Sequence, residues 1–418
     1  MPSNWELPES PVNILIEGYL ITLRYILVWV SCALLWTPVL MSARSHRARV
    51  PVVSGSYIVD EKQSGTALDG RTMEGRIRGA YKLAFSPNGR MLAAISLWEK
   101  LPKVWDVTTG KETLQLYGHK KSGYDSIAFS PDSKMIITGG HDRTARVWDA
   151  STGNLIATLP GHTHAIISGD GRKIATYGSS SYVNVWKFGT SSEDKTPKLW
   201  DARTGQLVAV LMGHKDQVFA AAFSPDSKTL VTGALEGLLM VWNTDDGRLR
   251  TILNGPPDNR KLLHILDLDI SPDGGMLAVA GSSSVPLFDL QSGSLEYLNT
   301  GQESVRLAIF SPDGSTLATS SRHEPHVVKL WDVKTLKLKA TFKGDKDNQW
   351  EVTFSPNGRL LAMSSIQRVI LWNVRTGEFV AKLEGAVDPV AFSPNGKTLA
   401  TAGPKDTVVL WDVSPMRK

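Results

Sequence analysis

Histidine is the residue type in this sequence that is best suited to acid–base chemistry, and it recurs after glycine. His119, His162 and His214 each follow a glycine. An imidazole titrates close to neutral pH and can therefore act as a general base. These three histidines, however, occupy the same position of a repeated unit. Their recurrence favours a structural role over a catalytic one.

Histidine pairs also suggest metal binding, although the remaining ligands are missing. His162 and His164 have a spacing that two metal ligands can use on a strand, and His323 and His326 share one loop. Neither pair is accompanied by a convincing third and fourth ligand, so both are read as structural or solvated. The sequence contains no nucleophile elbow, phosphate-binding loop, His-Glu-x-x-His or Cys-x-x-Cys motif. We therefore predict no catalytic residue, no metal and no cofactor.

The unit that must position these side chains is clearest over residues 119–149. An apolar run ends in Ser130-Pro131-Asp132, a second ends in small residues, and a third ends in Val147-Trp148-Asp149. A turn and a fourth apolar run follow. Proline presets φ at the second position of a type I turn, and serine and aspartate bond locally to the backbone. Four short runs punctuated by such turns predict a four-stranded antiparallel meander.

This pattern resembles the WD40 repeat family, whose members are β-propellers with four strands in each blade. The resemblance extends from about residue 70 to residue 413. It implies a buried network of the Gly-His histidine, a second-strand hydroxyl, a turn carboxylate and the third-strand tryptophan. In the clearest copy these residues are His119, Thr138, Asp142 and Trp148. In the fourth copy they are His214, Thr232 and Trp242, with Glu236 in place of aspartate.

Two independent counts of the copies give eight. The first counts the first hairpins, which fall at Ser86, Ser130, Ser168, Ser224, Ser271, Ser311, Ser355 and Ser393. The second counts the third-strand aromatic residues, which are Trp105, Trp148, Trp200, Trp242, Phe288, Trp331, Trp372 and Trp411. Seven blades is the commoner number in the family and stays the alternative if the third copy is irregular.

The third and fifth copies depart most from the pattern. The third contains two tryptophan endings, and we favour Trp200 over Trp186 as its third strand, with an insertion of about ten residues near 179–193. In the fifth copy Phe288 replaces tryptophan, and Pro286 removes a donor from the ladder.

The two ends of the repeated region complement each other. Residues 70–79 look like a fourth strand with no preceding three, and the last copy stops after its third strand at Asp412. We predict that the first segment completes the last blade, because closure removes a naked sheet edge. The predicted fold is all-β: a WD40 β-propeller of eight four-stranded blades, closed by an N-terminal strand and preceded by one hydrophobic helix.

The region before the propeller is divided into a tail at residues 1–18, a hydrophobic helix at 19–41 and a linker at 42–69; the propeller spans 70–418. Roughly 20 apolar residues can span a bilayer. Arg44, Arg47 and Arg49 follow the helix, which predicts a single-pass anchor with a cytoplasmic propeller. A cleaved signal peptide, giving a secreted or periplasmic protein, and a buried helix remain alternatives.

Composition and net charge further restrict the possible classes of function. The formal net charge is only +5 and gives no argument for nucleic acid binding, and a single cysteine excludes an internal disulfide. We expect a monomeric, membrane-tethered and non-catalytic scaffold that binds protein or peptide partners on one propeller face. The alternatives are an eight-bladed quinoprotein-like enzyme or cofactor binder, an extracytoplasmic binding protein and a structural spacer. The candidate partner-binding residues are Lys120, His141, Arg143, His164, Lys215, His323 and His326.

Overall fold

The computed structural model divides into two compact units, Met1–Val53 and Ser54–Lys418. It describes residues 13–16, 19–22, 57–59, 68, 70–178, 195–253, 265–321, 324, 327–344, 349–365 and 368–417. In the first unit, Asn13–Ile16 and Tyr19–Thr22 form an antiparallel pair of strands. The prediction of a helix beginning at residue 19 is therefore wrong for residues 19–22, and residues 23–41 lie outside the described residues. Within the described residues, no helix is long and apolar enough to cross a membrane.

The second unit contains eight four-stranded antiparallel blades, as predicted. Strands are counted within each blade in chain order. Blade one comprises Ala80–Phe85, Met91–Ser96, Lys103–Asp106 and Glu112–Gln115. Blade two comprises Tyr124–Phe129, Met135–Gly140, Thr144–Asp149 and Leu155–Pro160. Blade three comprises His164–Ile167, Lys173–Tyr177, Lys198–Asp201 and Leu207–Val210. Blade four comprises Val218–Phe223, Thr229–Ala234, Leu239–Asn243 and Leu249–Leu253.

The second half of the ring repeats this order. Blade five comprises Asp267–Ile270, Met276–Ala280, Ser284–Asp289 and Leu295–Asn299. Blade six comprises Val305–Phe310, Thr316–Ser321, Val327–Asp332 and Leu338–Lys343. Blade seven comprises Gln349–Phe354, Leu360–Ser365, Arg368–Asn373 and Phe379–Glu384. Blade eight comprises Val387–Phe392, Thr398–Gly403, Thr407–Asp412 and, from the start of the propeller, Gly70–Thr72.

Local side-chain bonds explain why the turns fall where they do. In the first hairpin of blade two, the carboxylate of Asp132 accepts the hydroxyl of Ser130 at 2.6 Å. Ser133 then takes a positive φ of 64°, which reverses the chain into the second strand. In the turn before the fourth strand, the carboxylate of Asp149 accepts the backbone N–H of Thr152 at 2.8 Å. The same Asp132 and Ser130 side-chain oxygens also accept the backbone N–H groups of Lys134 and Met135, so both turns satisfy backbone donors that the strands leave unpaired.

The core lies between neighbouring blades. One cluster packs Ile95 and Leu116 of blade one against Trp148 of blade two, and these three side chains are at most 1% exposed. A matching cluster joins Trp105 of blade one to Leu410 of blade eight. Each blade therefore buries its apolar faces against its two neighbours, and a single blade would leave both faces in water.

Closure of the ring confirms the predicted pairing of the two ends. Gly70–Thr72 runs antiparallel to Thr407–Asp412, with Gly70 opposite Trp411 and Thr72 opposite Val409. A Cβ at Gly70 would lie 2.6 Å from Val409 and 2.9 Å from the Trp411 ring, so the close approach requires glycine. The strand ends at Thr72 rather than at residue 79. Beyond it, Met73 and Ile77 insert into the seam between blades eight and one.

The irregular third blade also follows the prediction. Trp200 lies on its third strand, opposite Ile174 on the second. Trp186 and the predicted insertion lie among residues 179–194, outside the described residues, so the insertion stays a prediction. Blade six carries an additional strand, Tyr57–Val59, which pairs in parallel with its fourth strand.

We predict that deleting residues 70–79 abolishes the folded monomer or produces domain-swapped oligomers. The deletion removes the fourth strand of blade eight together with Met73 and Ile77, both at most 2% exposed. Size-exclusion chromatography with light scattering and a thermal melt measure the outcome, with a deletion of residues 2–11 as the control. A monomer with an unchanged melting temperature would refute closure by this segment.

Candidate protein-interaction face

The side chains expected to form a network in blade two are in hydrogen-bonding contact. His119 Nε2 lies 2.8 Å from Thr138 Oγ1, and His119 Nδ1 lies 2.9 Å from a carboxylate oxygen of Asp142. The indole N–H of Trp148 donates to Thr138 Oγ1 at 2.9 Å. The other Asp142 oxygen accepts the backbone N–H of Lys120 at 2.8 Å. The network thus ties the loop entering the blade to its second and third strands.

These contacts determine the direction of each hydrogen bond. The Asp142 carboxylate only accepts, so the proton of neutral His119 is assigned to Nδ1. His119 Nε2 then accepts from the Thr138 hydroxyl, whose oxygen accepts from Trp148. Burial lowers the pKa of His119 and outweighs the opposing effect of the bond to Asp142. The imidazole is therefore neutral at neutral pH and fully engaged.

Blade four reproduces the network with a longer acid. His214 Nε2 lies 2.7 Å from Thr232 Oγ1, and His214 Nδ1 lies 3.1 Å from Glu236 Oε1. The indole N–H of Trp242 donates to Thr232 at 2.8 Å. Burial again lowers the pKa of His214, with the Glu236 bond acting in the opposite direction. The extra methylene of glutamate is accommodated without loss of either bond to the histidine.

Sequence reasoning missed an equivalent network in blade six because glutamine replaces histidine. The Thr319 hydroxyl donates to Gln302 Oε1 at 2.7 Å and accepts the indole N–H of Trp331 at 3.0 Å. The signal was the dipeptide Gly301-Gln302, which stands where other blades carry Gly-His. An amide side chain supplies the acceptor that the threonine hydroxyl requires.

Three other blades lack the second-strand hydroxyl that accepts the indole N–H. In blade five, Val279 and Phe288 replace the hydroxyl and the tryptophan, so neither an indole donor nor a hydroxyl acceptor is present at these positions. In blade one, the indole N–H of Trp105 donates to the Glu74 carbonyl at 2.6 Å. In blade seven, Met363 stands at the hydroxyl position, and the buried indole N–H of Trp372 has no hydrogen-bond partner among the described residues. The indole N–H thus donates to a second-strand threonine in blades two, three, four, six and eight, and blade seven is the exception that leaves it unmatched.

The loops entering each blade and those joining its second and third strands lie at one end of the propeller, because successive antiparallel strands alternate in direction. Lys120, Arg143 and Lys215 are exposed on these loops. His141 and His164 are less accessible and flank the buried carboxylate of Asp125, at 3.0 Å and 3.8 Å respectively. Of the residues predicted to bind a partner, His323 and His326 lie outside the described residues.

Asp125 links blades two and three electrostatically. Burial alone would raise the pKa of its carboxyl group, but the hydrogen bond from His141 and the nearby His164 together lower it. His164 itself has a lowered pKa, chiefly because it is desolvated. Its ring also stacks on Tyr177 with 5.3 Å between the centroids. These two histidines are therefore held in place rather than presented freely to a partner.

A second charged region, which the sequence analysis did not identify, lies on the first strands. The first strands of neighbouring blades pack against one another and form the inner ring. Two carboxylates there bond across blades: Asp269 accepts the backbone N–H of Phe310 at 2.6 Å, and Glu351 accepts that of Val390 at 3.2 Å. These side chains are spaced along the sequence by whole repeats, so no local motif indicates them.

Burial raises the pKa values of several inner-ring acids towards neutral pH. It raises the pKa of Asp267 to about 7, with a further contribution from Asp269, whose own pKa is raised to about 6. Burial and Asp388 raise the pKa of Glu351 to about 7. Lys82 and Arg306 oppose these shifts for Asp267 and Glu351. In the part of the chain that the structure describes, no group of three or more His, Cys, Asp or Glu residues could hold a metal ion.

Known proteins share both the repeats and the fold. Residues 110–149, 205–243 and 377–412 match the family model described as WD domain, G-beta repeat. A solved structure, that of the computationally designed Ika8 protein, has a TM-score of 0.66 and 21% sequence identity. It covers 82% of this chain and 98% of that one. At this identity the likeness shows the fold alone.

Sequence relatives include proteins from several settings. Autophagy-related protein 16 of Arabidopsis thaliana is 27% identical over 308 residues, which cover 71% of this chain and 57% of that protein. The guanine nucleotide-binding protein subunit beta of Oryza sativa subsp. japonica is 24% identical, over 72% of this chain and 83% of that protein. The chain spans about half the length of the first relatives that it matches, at 57% and 47%.

We predict that Trp148→Ala lowers the free energy of unfolding by about 3–5 kcal/mol, as truncation of a buried tryptophan does. Thr138→Val should lower it by about 1–3 kcal/mol, because the Trp148 N–H and His119 Nε2 lose their partner. Combining Thr138→Val with Trp148→Phe, the pair found in blade five, should cost less than the sum of the single changes. Urea unfolding of the wild type and of these variants, with Trp148→Phe alone included, measures each change.

The control for these variants is Trp98→Ala, since Trp98 is 59% exposed, and we expect a change below about 1 kcal/mol. A loss below about 1 kcal/mol for Trp148→Ala would show that this tryptophan is not a core residue. Strict additivity of the blade-two pair would contradict the coupling through the hydroxyl.

We predict that Asp267→Asn stabilises the protein increasingly as pH rises from 4 to 8. Asp267 has a folded-state pKa of about 7 against an ordinary value of 3.8, so the folded state binds the extra proton in this window. Wild-type stability therefore falls as pH rises, and asparagine removes that loss. Because solvent partly screens the half-buried group, we expect a gain of about 1–2 kcal/mol at pH 8.

The matched control is Asp226→Asn, whose effect should have the opposite sign. The Ser224 hydroxyl lowers the pKa of Asp226, so its contribution is present at neutral pH and is lost as pH falls. Urea unfolding between pH 4 and pH 8 measures both variants. A gain from Asp267→Asn that does not change with pH would contradict the assignment.

Proposed function

Because this chain is an eight-bladed β-propeller built from WD40 repeats, we propose that it is a non-catalytic scaffold that captures a protein partner on one face. The observation that supports this most directly is the pairing of exposed loop residues with a buried frame beneath them. Lys120 directly follows His119, and Lys215 directly follows His214, so each lysine is adjacent in sequence to a histidine of the buried network. Loops held on such a frame are suited to binding.

The buried networks also bond to the backbone of the two lysines. The Lys120 N–H donates to Asp142 at 2.8 Å, and the Lys215 N–H donates to Glu236 Oε1 at 3.0 Å. Each lysine therefore starts from a fixed backbone position while its ammonium group extends into solvent. Pre-ordering of this kind lowers the entropy lost when a partner binds.

The charge on this face favours a partner segment that carries carboxylates. Arg143 lies on the loop between the second and third strands of blade two and takes a positive φ of 60° at the tip of the turn. Asp142 and Glu236, which accept the backbone N–H groups of the two lysines, are already bonded to His119 and His214. The Lys120 and Lys215 side chains are exposed on this face. Opposite charges across an interface raise its association rate.

The relatives are consistent with an adaptable scaffold. They include a protein named for autophagy and one named for guanine nucleotide binding. A fold shared across such different settings supports the proposal that the specificity of this chain lies in its own loops rather than in the propeller.

We predict that a photocrosslinking amino acid at position 120 or 215 captures a protein partner in the native host. The same group at Lys134 or Lys228 should not, because these exposed lysines lie in first-hairpin turns at the opposite end of the propeller. Mass spectrometry identifies the captured protein, and its affinity for the purified chain is then measured by calorimetry.

Charge reversal provides the quantitative test. Lys120→Glu combined with Lys215→Glu should lower the affinity for the captured partner at least tenfold, which corresponds to about 1.4 kcal/mol. Lys134→Glu combined with Lys228→Glu should change it by less than twofold. Equal weakening by the two pairs, or capture from the opposite face only, would overturn the proposed site.

A further inference from the structure

Blade six differs from the rest of the ring in having five strands. Tyr57–Val59 pairs in parallel with Leu338–Lys343, placing Tyr57 opposite Ala340 and Val59 opposite Phe342. The other seven blades of the described propeller have four strands each. A parallel strand cannot arise from a hairpin, so it has to be brought to the edge from elsewhere in the chain.

The edge that this strand occupies is more deeply buried than matching edges that lack one. Thr341 of blade six, Val210 of blade three and Ile252 of blade four each pair with the residue two positions before the third-strand tryptophan. Thr341 is 9% exposed, whereas Val210 is 40% and Ile252 is 37% exposed. The outer edges of the ring are thus equivalent in register and differ in whether a strand covers them.

The added strand belongs to a segment that contacts three blades in succession. After Val59, Leu68 packs into the apolar cluster that joins Ala381 of blade seven to Trp411 of blade eight. Gly70–Thr72 then completes blade eight. The outer edge of blade six is therefore occupied by a residue run that is tethered, through residues 60–69, to the strand that closes the ring.

We propose that the outer edge of blade six is a docking site for an extended strand, and that Tyr57–Val59 is its resident, displaceable occupant. An edge strand presents unpaired N–H and C=O groups along its length, which any suitably directed extended segment can bond. The partner we infer is a protein segment rich in aromatic and β-branched residues, as Tyr-Ile-Val is, that runs parallel to Leu338–Lys343.

Displacement is expected because the resident strand is short. Three residues form few hydrogen bonds, and the entropy lost on ordering them offsets much of that gain. The resident stays bound because its tether gives a local concentration on the order of millimolar. A segment long enough to pair with all of Leu338–Lys343 would form more bonds and compete with it. This proposal does not depend on the proposed binding face, which lies on the loops at one end of the propeller.

The first test removes the resident strand from the full-length chain. Tyr57→Gly, Ile58→Pro and Val59→Gly together disfavour the extended pairing and remove one donor. Hydrogen exchange followed by mass spectrometry should show the amides of Leu338–Lys343 exchanging at least tenfold faster than in the wild type. The uncovered edges Leu207–Val210 and Leu249–Leu253 are internal controls and should be unchanged. Unchanged protection of Leu338–Lys343 would overturn the proposal, and Ile58→Pro alone provides a milder variant if the triple variant does not fold.

The second test supplies the strand in trans. A synthetic peptide of residues 54–65, added at millimolar concentration to the triple variant, should restore protection to Leu338–Lys343, and a scrambled peptide should not. Failure of the native peptide to restore it would overturn docking in trans. Protection in the wild type that falls on dilution, together with dimers in light scattering, would overturn the assignment of the resident to the same chain. Charge reversal at Lys120 and Lys215 should leave both results unchanged, so failure here is distinct from failure of the proposed face.

Discussion

The architecture depends on the backbone pairing that joins the two ends of the propeller. Each blade buries its apolar surface only against its neighbours, so an open stack would expose one face at each end. The pairing of Gly70–Thr72 with Thr407–Asp412 brings blades eight and one together. It thereby buries Trp105 and Leu410 in a shared cluster. A short strand thus decides whether these side chains face protein or water.

Within that ring, a buried hydroxyl organises the polar part of several blades. In blades two and four the threonine accepts an indole N–H and donates to a histidine, whose own N–H donates to a carboxylate. The same hydroxyl bonds to Gln302 in blade six, and both hydroxyl and indole are absent from blade five. Buried polar groups are costly unless each donor meets an acceptor, so the joint loss in blade five leaves no unpaired donor, whereas the buried Trp372 N–H of blade seven has no acceptor among the described residues. The networks also fix the backbone of Lys120 and Lys215 on the adjacent loops, which supports the proposed binding face.

Charge is divided between two regions with different consequences. The loop face carries exposed lysine and arginine side chains whose neighbouring acids are already bonded. The inner ring carries acids whose pKa values are raised by burial, and two of them, Asp269 and Glu351, bond to the backbone of the next blade. The first region is suited to a partner, whereas the second joins blade five to blade six and blade seven to blade eight. The outer rim adds a third kind of surface, formed by the fourth strands of the blades, whose backbone edges can pair with another strand as that of blade six does with Tyr57–Val59.

The sequence by itself determined the period, the eight blades, the third-strand role of Trp200 and the meeting of the two ends. These follow from local turn chemistry and from alternating apolar runs, which act over a few residues and repeat. The sequence pattern extended the closing strand too far, to residue 79, because Met73 and Ile77 are apolar as strand residues often are. In the structure these two side chains pack in the seam between blades eight and one, beyond the hydrogen-bonded strand. Only the tertiary structure placed Gln302 in a network, Asp269 and Glu351 across blades, and Tyr57–Val59 on blade six. Those contacts join residues separated by whole repeats, and their partners are set by the curvature of the ring, which no local pattern encodes.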